Sequence, residues 1–258
     1  MNRGLAVVIG ASSGIGAATA HRLAKEGFDV VVGARRLDRL EEVAAAIGAR
    51  ALALDVTDPA SVDAFCAQVP ECRVLVNNAG GAAGLDPIET SSDDDWQWML
   101  ETNVVGTVRM TRALLPALEA SGDGHVVMIG SVAGVEPYPG GAGYNAAKFG
   151  VRAFTQVLRM ELLGRPIRVT EIDPGLVETE FSIVRFRGDT ARAAQVYEGV
   201  DPLSGDDVAD TVAFAVTRPS HVNIDQLVIT SRDQALARMI HRHSTRNSPR
   251  NSPPGESA

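Results

Sequence analysis

Short apolar runs of strand type alternate along this chain with longer stretches of helical periodicity, and the alternation continues almost to the end. Leu5-Ala6-Val7-Val8-Ile9 is an unbroken apolar run, and the stretch that follows sets Ala20, Leu23 and Ala24 on one helical face. The pattern predicts strands at 5–9, 29–33, 51–54, 74–77, 125–130, 167–172 and 223–229. It predicts helices at 15–26, 37–47, 59–68 and 94–119, then one from the region of Tyr144 to 163, and one at 206–217 with Ser204 as its cap. Residues 174–203 read as irregular with short helices. Strands alternating with helices imply an α/β chain on a doubly wound parallel sheet of about seven strands, with helices on both faces. No repeat and no linker divides residues 1–243, which are expected to form one domain. From 244 to 258 the chain turns to serine, proline, arginine and asparagine. Such a segment buries too little surface to offset its ordering entropy, so a disordered polar tail is expected there.

Between the first strand and the first helix lies Gly10-Ala11-Ser12-Ser13-Gly14-Ile15-Gly16. Gly10 allows a tight turn, Gly14 lets backbone N–H groups approach a pyrophosphate, and Gly16 lets the helix pack close to the strand. The helix N-terminus then turns partial positive charge toward the phosphates. Ser12, Ser13 and Ile15 complete the expected cradle.

A second constellation lies mid-chain. Tyr144 and Lys148 are four residues apart in a helical stretch, which stacks a phenol over an ammonium. A nearby cation favours phenolate and is expected to pull the tyrosine pKa down. Ser131 follows the apolar run at 125–130, so its hydroxyl stands at a strand end. Together these groups could polarise a carbonyl and hand it a proton.

With the glycine turn, Asn77-Asn78-Ala79-Gly80, Ser131, Tyr144 and Lys148, the chain resembles the short-chain dehydrogenase/reductase family from about residue 4 to about residue 230. The resemblance implies a Rossmann-like fold and an oxidoreductase acting on a CH–OH group. It implies Tyr144 as general acid or base, Lys148 on the nicotinamide ribose, Ser131 on the substrate oxygen, and Asn103 at a helix kink that holds a relay water, with a structural bond to a neighbouring strand as the alternative for Asn103. It also implies cofactor contacts from Asp55 and Val56 at the adenine, Ala79 and Gly80 at the ribose, and Pro174, Gly175, Val177 and Thr179 at the carboxamide. Asn77 is grouped with these residues, though its side chain is expected to brace the central sheet.

The second predicted strand ends in Gly33-Ala34-Arg35-Arg36, with no carboxylate where an NAD enzyme commonly holds the ribose 2′-hydroxyl. Guanidiniums pair well with a 2′-phosphate, so Arg35 and Arg36, helped by Ser13, predict NADP(H).

Bulk properties narrow the remaining choices. Of 258 residues 45% are hydrophobic, enough for a sizeable core. A net charge of −8 argues against a nucleic-acid partner. No apolar run is long enough to span a membrane, and the first strand starts too early for a signal peptide before it. Cys66 and Cys72 match no zinc spacing and read as reduced thiols of a cytoplasmic protein. No metal site is expected.

For the substrate, residues 180–189 alternate bulky apolar residues with Arg185 and Arg187, beyond the sixth predicted strand. With Glu136-Pro137-Tyr138-Pro139-Gly140-Gly141 and Ser220-His221-Val222-Asn223-Ile224, they resemble the NADP-dependent 3-hydroxy acid dehydrogenases. That implies a small-molecule substrate such as serine or allo-threonine, with Arg185, or else Arg187, on its carboxylate. Two other readings stay open: a reductase of bulkier neutral ketones, and a non-catalytic NADP-binding regulator. Family members usually form homotetramers, and Val151, Phe154, Val157 and Leu158 offer apolar area for such an interface.

Overall fold

Seven strands pair side by side, all parallel: β1 (Leu5–Ile9), β2 (Asp29–Ala34), β3 (Arg50–Ala53), β4 (Val74–Asn77), β5 (Gly124–Ile129), β6 (Ile167–Pro174) and β7 (Gln226–Ile229). The structure is a computed structural model that describes residues 2–244, so the expected tail lies, beyond Ser244, outside the described residues. The strand order is β3-β2-β1-β4-β5-β6-β7. β1 is therefore the pivot: the chain winds outward from it one way through β2 and the other way through β4. The ends of β1 and β4 form the crevice where such sheets take ligands.

Alternate residues of each strand feed opposite faces. Ala6 and Val8 point to the face covered by α1 (Gly14–Lys25), α2 (Leu37–Ile47) and a late helix, Gly205–Val216. Val7 and Ile9 point to the other face, covered by α3 (Pro59–Cys66) and two central helices. Because both faces are buried, the strands read as unbroken apolar runs. Asp58 caps α3 through the Ala60 N–H at 2.9 Å. Ser204 and Asp207 form a reciprocal capping box on the helix at Gly205–Val216.

Two expected elements differ. The long helix at 94–119 is α4 (Asp93–Leu100) and α5 (Gly106–Ala120), joined by a π-helical turn at Glu101–Val105. The turn falls at Asn103, whose side chain donates to the Met99 carbonyl at 2.7 Å and so competes with the backbone ladder. The last strand starts at Gln226 rather than 223, because Asn223 meets the sheet with its side chain, accepting from Val169 N–H at 2.8 Å.

α6 (Ala142–Glu161) carries the mid-chain constellation. Val151 and Leu158, expected at an interface, are buried in the core of their own chain, while Val157 is exposed. After β6 come α7 (Phe181–Arg185) and α8 (Thr190–Gln195), as the irregular reading with short helices anticipated, and then α9 (Gly205–Val216), the helix expected at 206–217.

His125, inside β5, is fully buried, and its Nε2 lies 2.8 Å from Thr170 Oγ1. Burial, and then Arg168, push its pKa down from the usual 6.5 to about 3. The unfolded chain therefore takes up a proton below pH 6.5 that the folded chain refuses until about pH 3. Stability from this group is present at neutral pH and declines as pH falls, by at most about 1.4 kcal/mol per pH unit. Urea unfolding of the unaltered protein and His125→Gln from pH 7 downward should show their stability difference shrinking with acidity.

Candidate active site

At the end of β1 the chain turns through Gly10 and Gly14, both with positive φ. A side chain on Gly10 would put its Cβ 2.8 Å from the Ala79 backbone. One on Gly16 would run into the Gly10 carbonyl and stand 2.5 Å from Asn78 Nδ2. That Nδ2 donates to the Gly10 carbonyl at 2.9 Å, tying the turn to the segment after β4. Asn78, not Asn77, therefore lines the cleft. Asn77 is buried, and its amide reaches Thr111 Oγ1 at 3.0 Å and Met128 Sδ, so it braces the sheet and makes no wall. Ser13 occupies the cap position of α1 without capping it. The first-turn N–H groups, Ile15 among them, are left to face the cleft with no side-chain acceptor, which suits an anionic ligand.

Arg36 folds back over this turn. It reaches Ser12 Oγ at 3.1 Å and Ser13 Oγ at 2.7 Å, and Glu180 at 2.8 Å. Arg39, which sequence reasoning passed over, also binds Glu180, at 2.5 Å. The two guanidiniums, Arg36 first, hold the Glu180 carboxyl down to about 2. Arg35 lines the same end of the cleft beside Asp55 and Val56. Asp55 accepts from Thr57 N–H at 3.0 Å and Thr57 Oγ1 at 2.7 Å, so one of its oxygens is committed to its own turn.

The cleft, about 750 Å³, runs from this cradle along the strand ends to Ser131, Tyr144 and Lys148. Ser131 follows β5, and its N–H donates to Asp173 Oδ1 at 2.8 Å. Asn145 pins the following turn to α6, donating to the Ala133 carbonyl at 2.8 Å. Lys148 donates from Nζ to the Ile129 carbonyl at 2.8 Å, with Nζ 5.9 Å from the Tyr144 ring centre. Ala79, Gly80, Pro174, Gly175, Val177 and Thr179 also line the cleft.

The expected acidic tyrosine is corrected here. Burial dominates at Tyr144 and raises its pKa, while the Ser131 hydroxyl and Arg185 pull it back. Lys148 makes no comparable contribution: it faces the Ile129 carbonyl, and burial pushes its own pKa down to about 8. Beneath it Glu171 and Asp173 form a buried acid pair that the sequence did not advertise. Burial raises both. Asp173 accepts from Ser131 N–H and, at 2.6 Å, from Gln226.

The kink expected at Asn103 is present, and its side-chain amide is committed to Gly81 N–H at 3.2 Å, Gly81 carbonyl at 2.9 Å and Met99 carbonyl. It lies outside the cleft lining and shapes the segment that passes Lys148.

The loop after β6 closes the cleft. The Phe181 ring centre lies 5.5 Å from that of Tyr144. Arg185 points inward, 5.7 Å from the rings of both Tyr138 and Tyr144. Arg187 points outward into an ion pair with Asp95 and is 70% exposed, so of the two arginines only Arg185 lines the cleft. A segment at 231–243, which no periodicity marked, straps across the opening. Its Gln234 accepts from Leu176 N–H at 2.7 Å.

A parallel sheet with a glycine cradle at its pivot, leading to an adjoining serine, tyrosine and lysine, defines a dinucleotide-dependent oxidoreductase. Residues 4–189 match the family described as short chain dehydrogenase, and the chain belongs to that family. It is 55% identical over 242 residues to an uncharacterized oxidoreductase of Mycobacterium tuberculosis, covering 94% of this chain and 96% of that protein. It is 42% identical over 237 residues to the sulfoacetaldehyde reductase of Chromohalobacter salexigens, covering 88% of this chain and 94% of that one. It also superimposes on the closed form of serine dehydrogenase complexed with NADP+, with a TM-score of 0.88 and 40% identity, covering 93% of this chain and all of that one. No helix among the described residues is long and apolar enough to cross a membrane.

Gly16→Ala should cost about 1–3 kcal/mol in chemical unfolding, from overpacking against the Gly10 carbonyl, and should weaken nucleotide binding measured by titration.

Proposed function

We propose that this protein is an NADP-dependent dehydrogenase that interconverts short 3-hydroxy acids and the corresponding 3-oxo acids, of the serine or allo-threonine type. The observation that carries the reading is the inward arginine, Arg185, beside the ring of Tyr144. A cation that close to the proton donor suits a substrate whose acid group lies one carbon from the reacting carbon. The similarity to an NADP+-bound serine dehydrogenase supports it.

The residues fit the cofactor. Gly10, Ser12, Ser13, Gly14, Ile15 and Gly16 would hold the pyrophosphate, and Asp55 and Val56 the adenine. Arg35, Arg36 and Arg39 would take the 2′-phosphate, and Lys148 the nicotinamide ribose. Pro174, Gly175, Val177 and Thr179 would seat the carboxamide. The bound nicotinamide supplies or accepts the hydride.

The chain's own residues manage the proton. Tyr144, protonated at neutral pH because it is buried, gives its proton to the carbonyl oxygen in reduction. The Ser131 hydroxyl steadies the oxygen as charge develops on it. Oxidation needs the phenolate instead, so alcohol oxidation should climb with pH into the alkaline range while carbonyl reduction does not. Assembly as a homotetramer through α5 and α6 is part of this reading. Phe149, Val157 and Met160 stand exposed on α6.

A panel of serine, allo-threonine, 3-hydroxypropionate and neutral secondary alcohols with NADP tests the substrate class; turnover of the neutral alcohols alone would refute it. Tyr144→Phe should lower kcat by about 10²–10⁴ with NADPH affinity unchanged. Arg36→Ala with Arg39→Ala should reduce the ratio of kcat/KM with NADPH to that with NADH by about ten-fold or more, through loss of charge-assisted bonds.

A further inference from the structure

Arg185 and Arg238 line one end of the cleft, and neither has an ion-pair partner among the described residues. Arg35 and Arg242 also line the cleft without an ion pair, but only Arg185 and Arg238 meet at one ring. Both address the same ring, Arg185 at 5.7 Å and Arg238 at 5.2 Å from the Tyr138 centre. Arg185 is held in place by bonds to the Gly84 carbonyl at 2.8 Å and the Tyr138 hydroxyl at 3.1 Å. Both bonds use Nε and Nη2, which leaves Nη1 to point elsewhere.

Arg238 sits on the strap. Gln234 bridges to Ile240 across a tight loop, with His241 N–H donating to the Asp233 carbonyl at 2.7 Å. The loop is pinned over the cleft where Ala237 N–H donates to Glu136 Oε2 at 3.0 Å. One oxygen of Glu136 takes that N–H, and no ion pair joins Glu136 to Arg238. The strap thus delivers a positive charge to the cleft with no ion-pair partner among the described residues.

We infer that Arg185 and Arg238 together form an anion subsite, and that Arg238 selects substrates ending in an oxyanion, carboxylate or sulfonate. The inference rests on the proposed function and adds to it a specificity residue from outside the lid loop. Planar guanidiniums match either oxyanion through paired N–H donors. Cation–π contact with Tyr138 keeps the Arg238 head group over the cleft without neutralising it.

Arg238→Gln tests this, with Arg238→Lys as the conservative control and thermal melting to establish that both fold. Arg238→Gln should raise KM for 3-hydroxypropionate and for 2-hydroxyethanesulfonate by about ten-fold, leaving kcat and NADPH affinity near normal. KM for a neutral alcohol such as 1,2-propanediol should stay unchanged, and Arg238→Lys should recover part of the loss. The oxyanion with the larger rise is the one the subsite is built for. Unchanged KM for both acids, or an equal rise for acid and neutral substrates, overturns the subsite while leaving the proposed function standing. Turnover of neutral substrates and of no acid by the unaltered enzyme overturns both.

Discussion

One buried ammonium organises the catalytic end of this molecule. Lys148 is almost wholly removed from water, and its Nζ donates to the Ile129 carbonyl at the end of β5. Moving an ammonium out of water costs several kcal/mol unless neighbours compensate. Here the compensation comes from the carbonyl and from Asp173 and Glu171. The bond locks α6 against β5, and Tyr144, one helical turn earlier, is thereby set over Ser131. The same Asp173 accepts from the Ser131 N–H, so one acid steadies both the serine and the lysine. Loss of the ammonium would leave the buried acid pair with Arg152 as its remaining cation, which is why the residue matters to folding as well as to chemistry.

The opposite end of the cleft depends on close approach rather than charge. The glycine turn fits because Gly10 and Gly16 have no side chains to strike Ala79 and Asn78. The turn is then spanned from above: Arg36 joins Ser12 and Ser13 below to Glu180 on the closing loop. Glu180 stands at the start of α7, whose last residue is Arg185. A single short element therefore touches the cradle with its first end and the substrate wall with its last. Any shift of that element moves both sites together.

Much of this was legible in the chain. Alternating buried strands and amphipathic helices gave the sheet and its layers, because burial on both faces leaves an unmistakable apolar signature. Gly10, Gly14, Gly16, Ser131, Tyr144 and Lys148 could be read because their spacing carries their geometry. The missed residues fail that condition. Gln234 and Arg238 lie in a strap without period, brought to the cleft only by tertiary contacts. Arg39 lies on a helix surface, and only the fold brings Glu180 onto it. Asn77 and Asn78 are adjacent and identical. Only the alternation of a strand at its last residue decides that the first turns into the sheet and the second toward the turn.

The tyrosine shows where local reasoning breaks down. A phenol four residues before an ammonium should be acidic if both lie on an open helix face. Inside the cleft, burial acts on both groups in opposite senses: it disfavours phenolate and it disfavours ammonium. Arg185, distant in sequence, is the cation that reaches the phenol. The lid arginine therefore stands where it could meet the acid group of the proposed substrate and act on the phenol at once. Binding an anion there would offset the charge that stabilises phenolate and so favour the protonated form needed for reduction. On the proposed reading, substrate charge and proton donation would be coupled through one side chain, a link no pairwise spacing along the chain could reveal.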